Sequence, residues 1–141
     1  MSADIVKFFD PLRKKEVALT PEERVRQWFI SVLRDHLGVP EHLMNSEVEM
    51  HFGSAGKVYR ADILVYDRQC RPLAVVECKR PEVKLTREVL EQALRYDMVL
   101  GVKWFFITNG QQTRVAVRRN GTVSSVDHAP DYEEMSAEAS K

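Results

Sequence analysis

Residues 58–81 read VYRADILVYDRQCRPLAVVECKRP. This stretch contains two runs rich in β-branched and aromatic residues, 58–66 and 73–76, on either side of a polar segment. Such runs predict two antiparallel strands joined by a hairpin loop. The second run is apolar throughout and then becomes charged at Glu77 and Lys79, which is typical of a largely buried strand that ends in charge.

A helix is predicted upstream of this stretch. Thr20 can cap it, Pro21 suits its first position, Glu23 completes a T-x-x-E capping box, and Gly38 ends it. The same kinds of signal predict the other elements of the chain. These are a strand over 47–52, a turn over 53–56, a second helix from about Thr86 to Leu100, a strand over 104–108, and turns at Asn109-Gly110 and Asn120-Gly121.

These elements predict an α/β fold. Three antiparallel strands, a helical crossover and a further strand parallel to its predecessor make a mixed β-sheet flanked by helices. A chain of 141 residues corresponds to one domain. We expect an N-terminal arm over 1–19, a domain over 20–126 and an acidic tail over 127–141. A short helix around Asp131 to Ala139 fits the composition of the tail as well as a mobile terminus does, and we take the tail as mobile.

Composition excludes several classes of protein. The 21 basic and 21 acidic residues balance, but 127–141 carries five carboxylates against Lys141, so the body has an excess of four positive charges. That excess fits a nucleic-acid partner without requiring one. No signal peptide or membrane span is apparent, so we expect a cytoplasmic protein with no membrane partner. The sequence contains no C-x-x-C, P-loop, dinucleotide or serine-hydrolase motif.

Two acidic residues are predicted to face each other across the hairpin. If 68–71 is a four-residue loop, Asp67 pairs with Pro72, and counting along both strands places Asp62 opposite Glu77. Directly opposed Cβ atoms lie roughly 4.5–5.5 Å apart. A divalent cation between the two carboxylates would remove their repulsion, and hard oxygen ligands favour Mg²⁺ or Mn²⁺.

Lys79 is expected on the same strand face as Glu77, because it lies two residues further along. Its ammonium group could contact a phosphate oxygen or an attacking water. An alternative stays open, in which Asp62, Glu77, Lys79 and Arg60 form cross-strand salt bridges at a solvated edge.

The second helix carries two further candidates, Gln92 and Tyr96, which lie four residues apart. We expect Gln92 on the core-facing stripe, where its amide needs a partner and could reach toward Glu77 and Lys79. The alternative is a surface glutamine beside a packed tyrosine.

The motifs YRADILV at 59–65, ECK at 77–79 and QALRY at 92–96 resemble those of the PD-(D/E)XK nucleases. More narrowly, the chain resembles the N-terminal nuclease domain of type I restriction enzyme R (HsdR) subunits over about 19–117. The resemblance implies a restriction-endonuclease-like fold and Mg²⁺- or Mn²⁺-dependent hydrolysis of a DNA phosphodiester. Ala61 replaces the proline that often precedes the first acid of this family, a position that shapes backbone.

The resemblance also implies residue roles. Asp62 and Glu77 would be metal ligands, with the Cys78 carbonyl as a candidate third ligand. Lys79 would orient or activate the water, and Gln92 and Tyr96 would support the site.

Some members of the family use a further glutamate from the first helix, and Glu22 and Glu23 occupy that region. Relative to Val25, helical steps of about 100° place Glu22 on the apolar stripe and Glu23 away from it. Glu23 also has a sufficient role in the capping box, so the choice stays open. Glu47 and Glu49 raise the same question.

The expected partners follow from this resemblance. A chain of this length has no room for a helicase motor, so we expect a nuclease module that binds DNA, with a separate motor or specificity subunit and a homodimer as open alternatives. A different class of function stays open, a non-catalytic nucleic-acid-binding or scaffold module that retains the fold. The sequence does not choose between DNA and RNA, or between endonuclease and exonuclease.

Overall fold

The computed structural model describes residues 5–52 and 56–139. A six-stranded sheet has the strand order β3-β4-β5-β6-β7-β8, and a separate two-stranded hairpin, β1-β2, precedes it. The strands are β1 (Lys7–Asp10), β2 (Lys15–Ala18), β3 (Met44–Phe52), β4 (Lys57–Tyr66), β5 (Pro72–Cys78), β6 (Trp104–Thr108), β7 (Thr113–Arg119) and β8 (Thr122–Val126). The α-helices are α1 (Pro21–Asp35), α2 (Arg87–Asp97) and α3 (Tyr132–Ala139), with 3₁₀ turns at Glu41–Leu43 and Met98–Leu100.

The predicted α/β fold with a mixed sheet is confirmed. Strands β3, β4 and β5 pair antiparallel, β5 and β6 pair parallel, and α2 lies in the crossover between them. Strand β3 begins three residues before its predicted start, and β7 and β8 were not among the predicted strands. Residues 53–55 of the predicted turn over 53–56 lie outside the described residues.

The predicted pairing of Asp67 with Pro72 is wrong by one residue. Tyr66 pairs with Pro72, and the Asp67 amide donates to the carbonyl of Arg71 inside the loop. A register shift between Val65 and Tyr66 then absorbs one extra residue on β5. Beyond it, the pairing follows the predicted count.

Helix α1 begins where its sequence predicts. Thr20 Oγ1 accepts a hydrogen bond from the Glu23 amide at 3.1 Å, and Pro21 occupies the first turn. The helix buries one face against the sheet, where Phe29 and Ile30 are almost fully buried. A second apolar cluster on the opposite face of the sheet includes Phe105 and Leu100. The sheet is therefore covered on both faces, as the apolar run in β5 requires. No helix in the described ranges is long and apolar enough to span a membrane.

Over its described part the acidic tail forms α3, so the short helix expected around 131–139 is confirmed. Tyr132 and Met135 of α3 are fully buried in the core cluster that contains α1. The Tyr132 hydroxyl donates to the Tyr66 carbonyl at 2.9 Å, and Trp104 Nε1 donates to the Met135 carbonyl at 3.3 Å. Net charge was a poor guide here, because two large buried side chains fix the helix against the sheet.

The N-terminal arm folds as the β1-β2 hairpin, and Asp10 organises its turn. Asp10 is fully buried, and its Oδ1 accepts hydrogen bonds from the amides of Leu12 and Arg13. Its Oδ2 pairs with the Arg13 guanidinium. Burial alone would raise the pKa of Asp10, but these hydrogen bonds outweigh it and hold the pKa below the ordinary value of 3.8.

The packing of α3 predicts that Met135→Ala destabilises the protein by about 2–5 kcal/mol, because it leaves a cavity in the core. Urea unfolding measures the change. The exposed neighbour Glu133 pairs only with Arg68 at the surface among the contacts described, so Glu133→Ala is the matched control and should change stability little. Equal, small effects of both substitutions would contradict a structural role for α3.

The lowered pKa of Asp10 predicts a pH-dependent contribution to stability. The folded state binds the carboxyl proton of Asp10 less tightly than the unfolded state does. Asp10 therefore stabilises the fold above pH 3.8, and this contribution is lost as the pH falls through the folded-state pKa. The stability difference between wild type and Asp10→Asn should therefore be largest near neutral pH and shrink below 3.8. Urea unfolding across a pH series measures it, and a pH-independent difference would contradict the assignment.

Candidate active site

Three neighbouring strands each carry a carboxylate at the same level of the sheet. In the β4-β5 register Ile63 pairs with Val76, so the next position places Asp62 opposite Glu77. Between β3 and β4, Ser46 pairs with Ile63 and Val48 pairs with Ala61, so Glu47 and Asp62 lie beside each other between these two pairs. Glu47 has a φ of 52°, a left-handed conformation that is unusual for glutamate. The sheet thus brings together the two predicted acids and adds Glu47.

Both oxygens of Asp62 have protein partners. Its Oδ2 accepts a hydrogen bond from the Cys78 amide at 2.7 Å, and its Oδ1 lies 3.3 Å from Nη2 of Arg26. Burial raises the pKa of Asp62, and the Cys78 amide and Arg26 oppose that rise only in part. The backbone of β5 therefore fixes the orientation of the carboxylate on β4.

Glu77 has one free oxygen. Its Oε1 lies 3.7 Å from Lys79 Nζ, whereas its Oε2 is buried and has no hydrogen-bond partner among the described residues. Burial raises the pKa of Glu77 to about 7, and the negative charge of Asp62 adds to the rise. A buried carboxylate oxygen without a donor is costly, so this atom is suited to receive a cation or a donor from outside the chain.

Lys79 and Cys78 complete the end of β5. Lys79 is partly exposed beside Glu77, and its amide donates to the Thr108 carbonyl at 2.8 Å, which ties the strand end to β6. The Cys78 thiol is buried, and burial raises its pKa well above its ordinary value, so it stays neutral. The contact described for Cys78 at the site is its amide, and its carbonyl stays a candidate ligand.

Arg26 is the main basic group beneath these acids, and sequence reasoning missed it. Only 4% of the residue is exposed. Its guanidinium lies 3.0 Å from Glu23 and 3.1 Å from Glu47, in addition to its contact with Asp62. The carboxylate of Glu22 lies further from the Arg26 guanidinium, at 3.9 Å.

The N-terminal hairpin reaches the same network through Arg13. Its guanidinium contacts Glu23 at 2.6 Å and Glu47 at 3.3 Å, as well as Asp10. The contact between Arg13 and Glu23 explains why the predicted positions of Glu22 and Glu23 on α1 are wrong. Glu23 is buried beneath Arg13, while Glu22 is partly exposed and contributes to the raised pKa of Glu77. The Glu23 side chain binds Arg13, Arg26 and Gln27, so it does not act as the side-chain half of a capping box.

The connected network has an excess of negative charge. With every carboxylate ionised, its six acids outnumber its three bases by three charges. The acids are Asp10, Glu22, Glu23, Glu47, Asp62 and Glu77, and the bases are Arg13, Arg26 and Lys79.

Oxygen donors and an uncompensated negative charge fit a hard divalent cation. The free Oε2 of Glu77 is the atom that such an ion would satisfy, and Asp62 is its neighbour across the strand pair. Within the described ranges, no group of three or more His, Cys, Asp or Glu side chains is arranged to hold a metal alone. A cation here would therefore take part of its coordination from backbone, water or substrate oxygen atoms.

The two predicted residues of α2 are not brought to the site in the same way. Gln92 is exposed, whereas we expected it on the core-facing stripe. The next residue, Ala93, is the buried one, and a helical step of about 100° turns Gln92 away from it. The side chain of Tyr96 lies outside the described part of the structure, so its role stays a prediction.

One of the two missed residues, Arg26, carried a signal in the sequence. Glu47 was already a candidate, but its place beside Asp62 depends on the β3-β4 register, which the sequence alone does not supply. Arg26 lies between the buried residues Val25 and Phe29 on α1, and a basic residue on an apolar helix face requires acidic partners. Arg13 gave no local signal, because its contacts are distant in sequence.

The sequence matches the family model for the type I restriction enzyme R protein N terminus (HSDR_N) over residues 21–130. The match covers more than half of the chain and includes α1, the sheet and the three carboxylates. Among curated proteins, no match was found.

A solved structure shares the fold. It is a fragment described as that of an HsdR subunit of a type I restriction enzyme from Vibrio vulnificus YJ016, with a TM-score of 0.63 and 22% sequence identity. The similarity covers 86% of this chain and 25% of that one, so this chain spans about a quarter of its length. The family match and the shared fold agree with the resemblance found in the sequence, and the chain belongs to the family of type I restriction enzyme R protein N-terminal domains.

Proposed function

We propose that the chain is a metal-dependent DNA endonuclease domain. The observation that carries the proposal is the buried Oε2 of Glu77, which has no partner among the described residues, next to Asp62 in a network with excess negative charge. Family membership supports the same reading, because a restriction enzyme acts on DNA.

In this proposal Asp62 and Glu77 hold the cation, Mg²⁺ or Mn²⁺, and the Cys78 carbonyl is the candidate third ligand. Such an ion supplies Lewis acidity toward the phosphodiester and lowers the pKa of a nearby water. The Cys78 amide keeps Asp62 oriented through the hydrogen bond at 2.7 Å, so this ligand needs little reorganisation.

Lys79 has a separate role in the proposal. Its ammonium lies 3.7 Å from Glu77 Oε1 and is partly exposed, so it can donate to a water or to a phosphate oxygen while Glu77 holds it in place. A cation at that position stabilises negative charge that develops on the phosphoryl group. Gln92 and Tyr96 stay proposed supporting residues, and Gln92 is exposed enough to contact a substrate.

The proposed partners follow from the family. DNA is the substrate, and the domain works in the cytoplasm with a motor or specificity subunit of a type I system. One site cuts one strand, so cleavage of both strands would need a second copy of the chain or a second binding event.

A second candidate function has one observation in its favour. The guanidinium of Arg26 contacts Asp62 Oδ1, so one oxygen of a proposed metal ligand is already paired with a positive charge of the protein. A non-catalytic nucleic-acid-binding or scaffold module would retain such an ion-pair cluster for stability alone. Cation binding and cleavage distinguish the two candidates.

The nuclease proposal predicts that the purified protein nicks supercoiled plasmid with Mg²⁺ or Mn²⁺ and not with EDTA. Glu77→Ala and Lys79→Ala should each lower the rate by at least about a hundredfold, because each removes charge stabilisation at the reacting phosphate. Gel electrophoresis of the plasmid over time measures the rate.

The matched controls are Glu82→Ala and Lys84→Ala, which change charge equally at exposed positions nearby. Both should nick DNA like the wild type. The same residual activity in all five proteins would identify a contaminant and contradict the assignment.

The same proposal predicts cation binding without any DNA. Mn²⁺ should raise the melting temperature of the wild type, with a gain of about 2.7 kcal/mol in stability at a concentration one hundred times its Kd. Glu77→Gln should gain little, and without metal it should melt no lower than the wild type, since it removes a buried carboxylate beside Asp62.

Differential scanning fluorimetry with Mn²⁺ and with EDTA measures these shifts, and Glu82→Gln serves as the control that should respond like the wild type. If wild type and Glu77→Gln respond equally, Glu77 is not a ligand. If neither responds while DNA still binds, the non-catalytic module is favoured.

A further inference from the structure

A cavity of about 700 Å³ lies away from the candidate active site. It occupies the end of the sheet where β5 and β6 begin and where β4 and β7 end, and its lining includes Leu73, Lys103 and Arg118. Leu73 precedes Glu77 by four residues on β5, a separation of roughly 13 Å along the strand. The cavity is therefore a separate feature from the carboxylate site.

The lining of this cavity is basic. Four basic residues line it, against the single carboxylate of Asp67; they are Arg68, Arg71, Lys103 and Arg118. Asp67 is already committed, because its Oδ2 pairs with Arg71 and its Oδ1 accepts from the amides of Gln69 and Arg71. Arg68 pairs with Glu133 of α3. Lys103 and Arg118 have no carboxylate partner among the described side chains.

Arg118 is held in place without such a partner. Its Nη2 donates to the Met98 carbonyl at 2.9 Å, and its guanidinium carbon lies 5.5 Å from the centre of the Phe105 ring. Its Nε is buried and has no hydrogen-bond partner within the described residues. The Met98 carbonyl takes one of the five N–H donors of this guanidinium, and these contacts hold the group in place, so little side-chain entropy remains to be lost when the other terminal N–H groups bind an acceptor.

We propose that this cavity binds a phosphate-bearing ligand, with Arg118 and Lys103 as its principal contacts. Phosphate oxygens are strong acceptors for guanidinium and ammonium donors, and the cavity volume lies within the range of about 300–1,000 Å³ typical of small-molecule sites. The phosphates can come from a nucleotide or from a nucleic-acid backbone. The site goes beyond the proposed nuclease function and does not depend on it.

Calorimetric titration of the whole chain with ATP and, separately, with a 12-nucleotide single-stranded DNA tests the proposal. EDTA is present throughout, so that no divalent cation occupies the carboxylate site. Lys103→Gln and Arg118→Gln should each weaken binding of the phosphate ligand by about tenfold or more, since each removes a charged hydrogen-bond donor. Lys103→Gln leaves the Arg118–Phe105 contact intact, and thermal melting checks that each variant is folded.

Two controls separate this site from its alternatives. Arg34→Gln removes the same charge from an exposed ion pair with Asp35 on α1, and it should bind like the wild type. Glu82→Gln removes a carboxylate from an exposed ion pair with Arg80, outside the proposed ligand set, and it should also bind like the wild type. Because EDTA keeps divalent cations from the carboxylate site, failure of the nuclease proposal leaves this test unaffected.

The outcomes differ by ligand source. Weaker ATP binding confined to the Lys103 and Arg118 variants supports a nucleotide site, and the same pattern with DNA alone supports a backbone contact. The proposal is overturned if neither ligand binds, if the folded Lys103 and Arg118 variants bind like the wild type, or if Arg34→Gln loses as much affinity as they do.

Discussion

The hydrogen bond from the Cys78 amide to Asp62 is the contact on which the candidate site depends. Regular pairing between β4 and β5 ends at Ile63 and Val76. Just beyond it, the carboxylate of Asp62 accepts a hydrogen bond from the backbone amide of Cys78. The carboxylate thus takes the place of a backbone acceptor, and the Cys78 amide keeps a partner at the strand end. The hydrogen bond also fixes the carboxylate of Asp62 at the level of Glu77, so backbone geometry determines where the two acids meet.

Charge balance sets the second constraint. Two buried or half-buried guanidinium groups, Arg13 and Arg26, lie among five carboxylates of α1 and the first strands, and neither could be buried without those partners. The oxygen left without a partner is Oε2 of Glu77, because Lys79 lies beside Oε1 alone. The N-terminal hairpin is part of this balance through Arg13, so it stabilises the site from outside the sheet.

The sequence was sufficient for the strand pair that carries the site. Alternation and the apolar run in β5 predicted the antiparallel hairpin. Counting along the two strands placed Asp62 opposite Glu77 correctly, although the predicted pair next to the loop was wrong. The register shift near Tyr66 compensates for that error of one residue. Local patterns could not predict contacts between distant segments. Arg13 changes the burial of Glu23 across ten residues, which a helical wheel of α1 alone cannot include.

The position of α3 in the core has a consequence for synthesis of the chain. Phe29 of the first helix and Met135 of the last belong to one apolar cluster, so the cluster cannot close until the end of the described chain has left the ribosome. Until then, the face of the sheet that α3 covers is exposed to water and to other chains, a condition that favours aggregation. Folding of this domain on the ribosome should therefore wait until α3 has emerged, and chaperones that bind apolar sheet surface would act during that interval.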